Sequence, residues 1–167
     1  MARKPFIAAV VTVSDRGSRG EREDESGPAV KEFLKRAGFQ VGRLDLVPDE
    51  REAIAGKLRE LCRGGFDLVV TTGGTGLSPR DVTPEATLDV IEREVPGMAE
   101  AMRRFSLEKT PHAMISRAVC GQCGRTLVVN LPGSPKGARE CLEVIMPALP
   151  HALEVAAGEV GECAGPS

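Results

Sequence analysis

Asp67-Leu-Val-Val-Thr-Thr-Gly-Gly-Thr-Gly-Leu-Ser-Pro-Arg-Asp-Val-Thr-Pro-Glu-Ala-Thr87 is the stretch on which the reading of this chain turns. An apolar strand runs straight into Gly73, Gly74, Thr75 and Gly76, and the carboxylate of Asp81 follows just ahead of a new helix. Glycines at the end of a strand let backbone N–H groups approach an anion, because no Cβ stands in the way. A carboxylate beside a phosphate makes sense when a divalent cation sits between them. The stretch therefore reads as a nucleotide-phosphate and metal site. It is not a Walker loop, since no Gly-Lys-Ser/Thr follows, and Pro79 stands where a dinucleotide fingerprint needs its third glycine.

Working outward, apolar strands alternate with amphipathic helices. Phe6–Val13, Phe39–Val47 and Phe66–Thr72 read as strands. Val30, Phe33, Leu34 and Ala37 form one helical face opened by Pro28 and ended at Gly38. Ile54, Leu58, Leu61 and Cys62 form another, with Asp49 as its N-cap. Thr83 caps, and Pro84 opens, a helix carrying Leu88, Ile91 and Val95; Pro96-Gly97 breaks it before a further helix over Met98–Leu107. Arg117–Gly121 and Arg125–Leu131 read as a hairpin turning at Gln122-Cys123-Gly124. A last helix bears Ala138, Cys141, Leu142, Ile145, Met146 and Leu149, and Pro147 and Pro150 should bend or interrupt it. The expected fold is a three-layer α/β/α domain around a mostly parallel sheet, spanning residues 1–158, with a frayed tail over 159–167.

In such sheets ligands bind beyond the carboxyl ends of the strands. The Ser14–Gly27 loop, Pro48-Asp49, the 73–81 loop and the Leu131–Pro135 turn should therefore gather on one edge. That adds Ser14, Asp15 and Asp24 to Gly73, Gly74, Thr75 and Gly76 as the phosphate- and nucleotide-binding set. Asp49 and Asp81, on neighbouring loops, form a pair fit to cradle Mg2+ over a polyphosphate, since that ion takes one or two carboxylates plus substrate oxygens.

Composition narrows the function. At 167 residues, 41% hydrophobic and 28% charged, the chain suits one globular domain. Five Phe, no Trp and no Tyr make the core aliphatic and leave few platforms for stacking bases. A net charge of −2 and a pI near 5.8 lack the basic footprint of a nucleic-acid binder. No run approaches the length of a membrane span, and Asp15-Arg16 ends the run after Arg3-Lys4 too early for a secretion signal. Cysteines 62, 120, 123, 141 and 163 are odd in number and sparse, which points to a reducing, cytoplasmic setting. Cys120-Gly-Gln-Cys123 has redox or half-zinc spacing but lacks a second pair and an activating helix start. His112 and His151 lack ligand spacing and read as structural or exposed.

The Thr71–Thr87 signature resembles that of the MogA/MoaB group of molybdenum-cofactor biosynthesis proteins and the G domains of gephyrin. The likeness extends through Val13-Ser-Asp-Arg, Asp24-Glu-Ser-Gly-Pro28, Val47-Pro-Asp-Glu50, Pro96-Gly97-Met98, Met114-Ile-Ser-Arg117 and Asn130-Leu-Pro-Gly-Ser-Pro135, in order along nearly the whole chain. It implies a domain, usually trimeric, that binds molybdopterin and a nucleotide, and an adenylyltransferase in which the terminal phosphate of molybdopterin attacks the α-phosphorus of ATP. Pyrophosphate leaves, and Mg2+ is required. The resemblance assigns functional roles to Asp49 and Asp81, phosphate to the Gly73–Gly76 loop, and the pterin side to Ser116, Pro132, Gly133 and Ser134. The alternative within the family is a non-catalytic pterin-binding or scaffolding module; an unrelated Mg2+-dependent nucleotide hydrolase stands as a third reading. The Cys120/Cys123 pair departs from a hairpin that is usually basic.

Overall fold

A computed structural model describes residues 4–159. Six strands form one sheet in the order β2-β1-β3-β6-β5-β4. Strands β1 (Ile7–Val13), β2 (Gln40–Val47), β3 (Leu68–Thr72) and β6 (Thr126–Leu131) run parallel, while β5 (Cys120–Cys123) and β4 (Arg93–Glu94) lie antiparallel at one side. The helices are α1 (Asp15–Ser18), α2 (Ser26–Arg36), α3 (Arg51–Arg63), α4 (Thr83–Leu88), α5 (Pro96–Leu107), α6 (Pro135–Ile145) and α7 (Leu149–Ala156), with a 3-10 turn at Pro111–Ile115.

The strands alternate their side chains between two separate apolar layers. Ala8, Val10, Leu68, Val70, Val129 and Leu131 face one side, where they meet Val30 and Leu34 of α2, Met98 and Met102 of α5, Leu142 and Ile145 of α6 and Leu153 of α7. Ala9, Val11, Val13, Val69 and Val128 face the other, against Ile54, Leu58 and Leu61 of α3 and Ala86 of α4. A strand buried on both faces must be apolar at every position, which is why Leu68–Thr72 reads as a continuous run rather than an alternating one. The expected three-layer α/β/α architecture with a mostly parallel sheet is the one observed.

Several local expectations differ. Helix α2 begins at Ser26, ahead of Pro28, and the preceding loop contains the helical turn α1. Asp49 does not cap α3; Glu50 holds that position without a side-chain bond, and the Asp49 carboxylate is engaged elsewhere. Thr83 lies inside α4 rather than capping it. Helix α4 stops at Leu88 instead of reaching Val95, because the edge of β5 takes the following segment: the Glu92 N–H donates to Gln122 O at 2.8 Å and the Val95 N–H to Cys120 O at 2.8 Å. Pro96 keeps Val95, at φ −118° and ψ 73°, out of helical backbone and opens α5, so Pro96-Gly97 begins a helix where a break was expected. The hairpin turns at Gly124-Arg125, which places Cys120 and Cys123 inside β5. Three residues apart on a strand, they face opposite layers: Cys120 joins one core and Cys123 packs on the other. Pro147 separates α6 from α7 as expected, and Pro150 falls in the first turn of α7. Beyond Glu159, the expected frayed tail lies outside the described residues.

Candidate functional site

Four parallel strands deliver their following loops to a single edge, and two clefts open there. The first, about 420 Å³, is lined by Ser14, Asp24, Asp49, Gly73, Gly74, Asp81, Gly133 and Ser134, with Arg22, Glu23 and Leu46 at its margin. The second, about 520 Å³, is lined by Thr75, Gly76, Ser116, Asn130, Pro132 and Ser134, together with Ala99, Met102, Arg103, Lys109, His112 and Lys136. The 73–76 loop and the 132–134 turn form the partition, with Gly73-Gly74 on one side, Thr75-Gly76 on the other and Ser134 shared.

The partition needs glycine at two places. Gly73 has φ +106° and Gly74 φ +68°, both in the left-handed half of backbone space. A Cβ on Gly73 would collide with the Val13 carbonyl oxygen, and one on Gly74 with Thr83 Oγ1 while standing 3.2 Å from Asp49 Oδ1. The loop is pinned on three sides. The Gly73 N–H donates to Leu131 O at 3.1 Å, Thr83 Oγ1 donates to Gly73 O at 2.9 Å, and the Thr83 N–H donates to Gly74 O at 3.1 Å. The buried position of Thr83, at 0% exposure, follows from this anchoring role.

Asp49 and Asp81 come together in the first cleft, as the two-carboxylate expectation requires. Asp81 Oδ2 accepts the Ser78 N–H at 3.1 Å and lies 2.8 Å from where a Gly76 Cβ would stand. Asp49 Oδ2 accepts the Asp15 N–H at 2.8 Å, while the Asp49 N–H donates to Asp15 Oδ1 at 3.0 Å, a reciprocal pair across two loops. Burial pushes the Asp49 carboxyl above its usual range, and the negative charges of Asp15 and Asp81 push the same way, against the Asp15 backbone hydrogen bond. Its neighbour goes the other way: the side-chain hydrogen bond from Arg80 holds Asp15 below the ordinary carboxylate range. Arg80 donates to both oxygens of Asp15, at 2.8 and 2.9 Å.

The other expected residues divide. Ser14 Oγ accepts the Gly17 N–H at 3.0 Å and caps α1. Asp24 turns its carboxylate to Thr12 Oγ1 at 2.7 Å and the Gly27 N–H at 2.9 Å, fastening the loop ahead of α2 to β1. Asp15 stays outside the first cleft's lining, and both its oxygens accept from Arg80, which ties the loops after β1 and β3. Thr75 and Gly76, expected with the nucleotide set, open onto the second cleft. Ser116, Pro132 and Ser134 line that second cleft, whereas Gly133 lines the first. Ser134 also caps α6, accepting the Gly137 N–H at 3.1 Å. His112, read as structural or exposed, is exposed and lines the second cleft.

Sequence reading missed Arg117, Glu85 and Arg80, which line neither cleft but brace the loops that do. The Arg117 guanidinium reaches the carbonyls of Gly76 and Asp81 and pairs with Glu85. Its signal was the Met114-Ile-Ser-Arg117 block, where attention rested on Ser116. Among the described residues, no third His, Cys, Asp or Glu is placed to share a metal with the two carboxylates, so the donor set is sparse. That set suits Mg2+, which leaves most of its coordination to water and substrate oxygens, and does not suit a structural zinc.

The chain is similar to known proteins over nearly its whole length. A molybdopterin adenylyltransferase of Helicobacter pylori strain J99 is 44% identical over 154 residues, spanning 89% of this chain and 86% of its own length. The crystal structure of the molybdopterin biosynthesis enzyme MoaB from Thermus thermophilus superposes with a TM-score of 0.87 at 55% identity, covering 92% of this chain and 97% of that one. A structure of MogA superposes at 0.85 with 42% identity, over 90% and 99%. Residues 9–151 match the family described as a probable molybdopterin binding domain. The chain belongs to that family, within its MogA/MoaB group.

Proposed function

We propose that this chain is a molybdopterin adenylyltransferase, moving AMP from ATP onto the terminal phosphate of molybdopterin with release of pyrophosphate. The observation that carries this reading is the convergence of Asp49 and Asp81 in a cleft separated by the 73–76 loop and the 132–134 turn from a second cleft of similar size. Two ligands whose phosphates must meet need two compartments and a thin polar partition. ATP takes the first cleft, with its phosphates against Gly73 and Gly74. Molybdopterin takes the second, where Ser116, Pro132 and Ser134 face a more apolar wall of Ala99 and Met102. The cations Arg103, Lys109 and Lys136 suit its phosphate end.

Asp49 and Asp81 are the residues that hold Mg2+, which when bound neutralises the triphosphate and the departing pyrophosphate. Backbone N–H groups of the partition other than that of Gly73, which bonds Leu131 O, fix the reacting phosphates, Ser134 orients groups on both sides, and the two loops exclude water from the junction. No nucleophilic Ser or Cys is required, since the attacking phosphate is already ionised. Positioning and charge compensation therefore supply the rate. The raised Asp49 carboxyl fits this role: it is an under-compensated negative site that a cation relieves.

A reducing cytoplasmic location and a homotrimer complete the proposal. Cys62, Cys120, Cys123 and Cys141 are free thiols, and the edge strand β2 leaves Leu44 and Leu46 exposed, at 37% and 39%, as apolar surface that a partner copy would cover. Among the described residues no helix is long and apolar enough to cross a membrane.

The test is purified protein with ATP, Mg2+ and molybdopterin, followed by pyrophosphate release. Release that depends on the pterin is the expected result, and Asp81→Asn should abolish it while pterin binding persists. Pterin binding without any release identifies a scaffold instead, and release without pterin identifies a nucleotide hydrolase.

A further inference from the structure

Arg117 stands outside the proposed chemistry, yet its side chain bonds the backbone carbonyls at both ends of the 76–81 loop. Its own N–H donates to Thr75 O at 2.9 Å. Its Nε donates to Gly76 O at 2.8 Å and its Nη2 to Asp81 O at 2.7 Å, while Nη1 pairs with Glu85 Oε1. One rigid guanidinium thus spans both ends of the loop and the first turn of α4. The donors of a guanidinium have fixed directions, so two carbonyls that accept from it are held relative to each other.

That matters because little else anchors the interior of this loop. Leu77 is 64% exposed, and Ser78, Pro79 and Arg80 are exposed as well. Besides Arg117, the loop is held by its internal Asp81–Ser78 turn and by the Arg80–Asp15 ion pair at the surface. Glu85 sits behind the guanidinium, and its second carboxylate oxygen, Oε2, is buried without a hydrogen-bond partner. A half-satisfied carboxylate is unfavourable. What Glu85 contributes at this position is the ion pair that orients Arg117.

We propose that Arg117, oriented by Glu85, is a positioning residue that sets the Asp81 carboxylate for divalent-cation binding. This rests on the reading of Asp49 and Asp81 as the cation-holding pair. Arg117 does not touch the cation or the substrates; it acts through the Asp81 backbone, as an outer-shell partner acts through a ligand.

The test is Mn2+ titrated into the full chain without nucleotide, read by loss of the free-ion EPR signal. Arg117→Ala should weaken binding about 10- to 100-fold, the usual effect of removing an outer-shell partner. Arg117→Lys should restore little, because an ammonium cannot span two carbonyls, whereas added guanidinium ion should restore much of the affinity to the alanine variant. Asp81→Asn and the Arg117→Ala/Asp81→Asn double variant should bind equally weakly, since a residue acting through Asp81 has no effect once Asp81 is gone. Wild-type affinity in Arg117→Ala, or full additivity in the double variant, overturns the proposal. Should the alanine variant fail to fold, Arg117→Lys and Glu85→Gln decide: wild-type affinity in both overturns it, and weakened binding by a folded variant supports it. Equal affinity in wild type and Asp81→Asn instead removes Asp81 as a ligand, and with it the cation-site reading itself.

Discussion

Replacing Gly73 with alanine offers the sharpest check on the partition between the clefts. The residue has φ +106°, where an L side chain is strained by roughly 1–2 kcal/mol. The added methyl would also strike the Val13 carbonyl oxygen, which is backbone at the end of β1 and cannot swing aside. Relief by moving Gly73 would break its bonds to Leu131 O and Thr83 Oγ1. Overpacking of this kind typically costs about 1–3 kcal/mol, so the two effects together destabilise by about 2–5 kcal/mol. For a domain of this size that lowers Tm by about 4–20 °C. Activity measured well below the new midpoint should still fall by about 100-fold or more, because the wall that aligns the two phosphates has shifted. Gly56→Ala is the matched control. Gly56 lies within α3, and a methyl added there would meet no atom within 4 Å outside its own helical backbone, so alanine should stabilise by about 0.5–1 kcal/mol. Calorimetry and pyrophosphate release on both variants decide the matter. A Gly73→Ala protein that melts within about 2 °C of wild type and turns over normally refutes the reasoning.

Asn130→Ala should destabilise by about 2–4 kcal/mol, because the fully buried amide bonds Thr71 Oγ1 at 3.0 Å, Thr87 Oγ1 at 2.9 Å and the Val119 N–H at 3.1 Å, and all three lose a partner. Denaturant unfolding with an unchanged midpoint would contradict that. Asp89→Asn tests a pH-dependent tie between α3 and the end of α4. Arg51 holds the Asp89 carboxyl below its ordinary value of 3.8, so the pair stabilises the fold above that pH and the contribution fades as pH falls through the lowered value. The variant should melt below wild type at pH 7 and converge with it in strong acid; a gap that persists there sinks the explanation.

Much of the architecture was readable because double-sided burial leaves an unmistakable trace in Leu68–Thr72 and Thr126–Leu131. The misreadings share a cause, which is that local pattern does not see partners distant in the chain. Ile91 and Val95 keep helical spacing from Leu88, yet an unpaired edge of β5 claims the backbone around Arg93. Asp49 has the position of an N-cap, but its carboxylate goes to the Asp15 N–H, 34 residues away, instead of the helix. Cys120 and Cys123 have a redox spacing that needs both thiols on one side, and a strand sends them to opposite layers. The two carboxylates could be paired in advance, since strand-end loops must share an edge. Arg117 and Glu85 could not, because their importance lies in which carbonyls a guanidinium reaches, and no spacing rule encodes that.

The mutual bonds of Asp15 and Asp49, with Arg80 closing on Asp15 from the third loop, make one knot of the segments after β1, β2 and β3. Strain entering at any of the three strands' exits is therefore shared by the other two. An insertion between residues 16 and 24, far from Asp49 in sequence, would be felt at Asp49 through its bonds to Asp15. The orientation of Asp49 is thus set jointly by segments 34 and 65 residues apart in the chain.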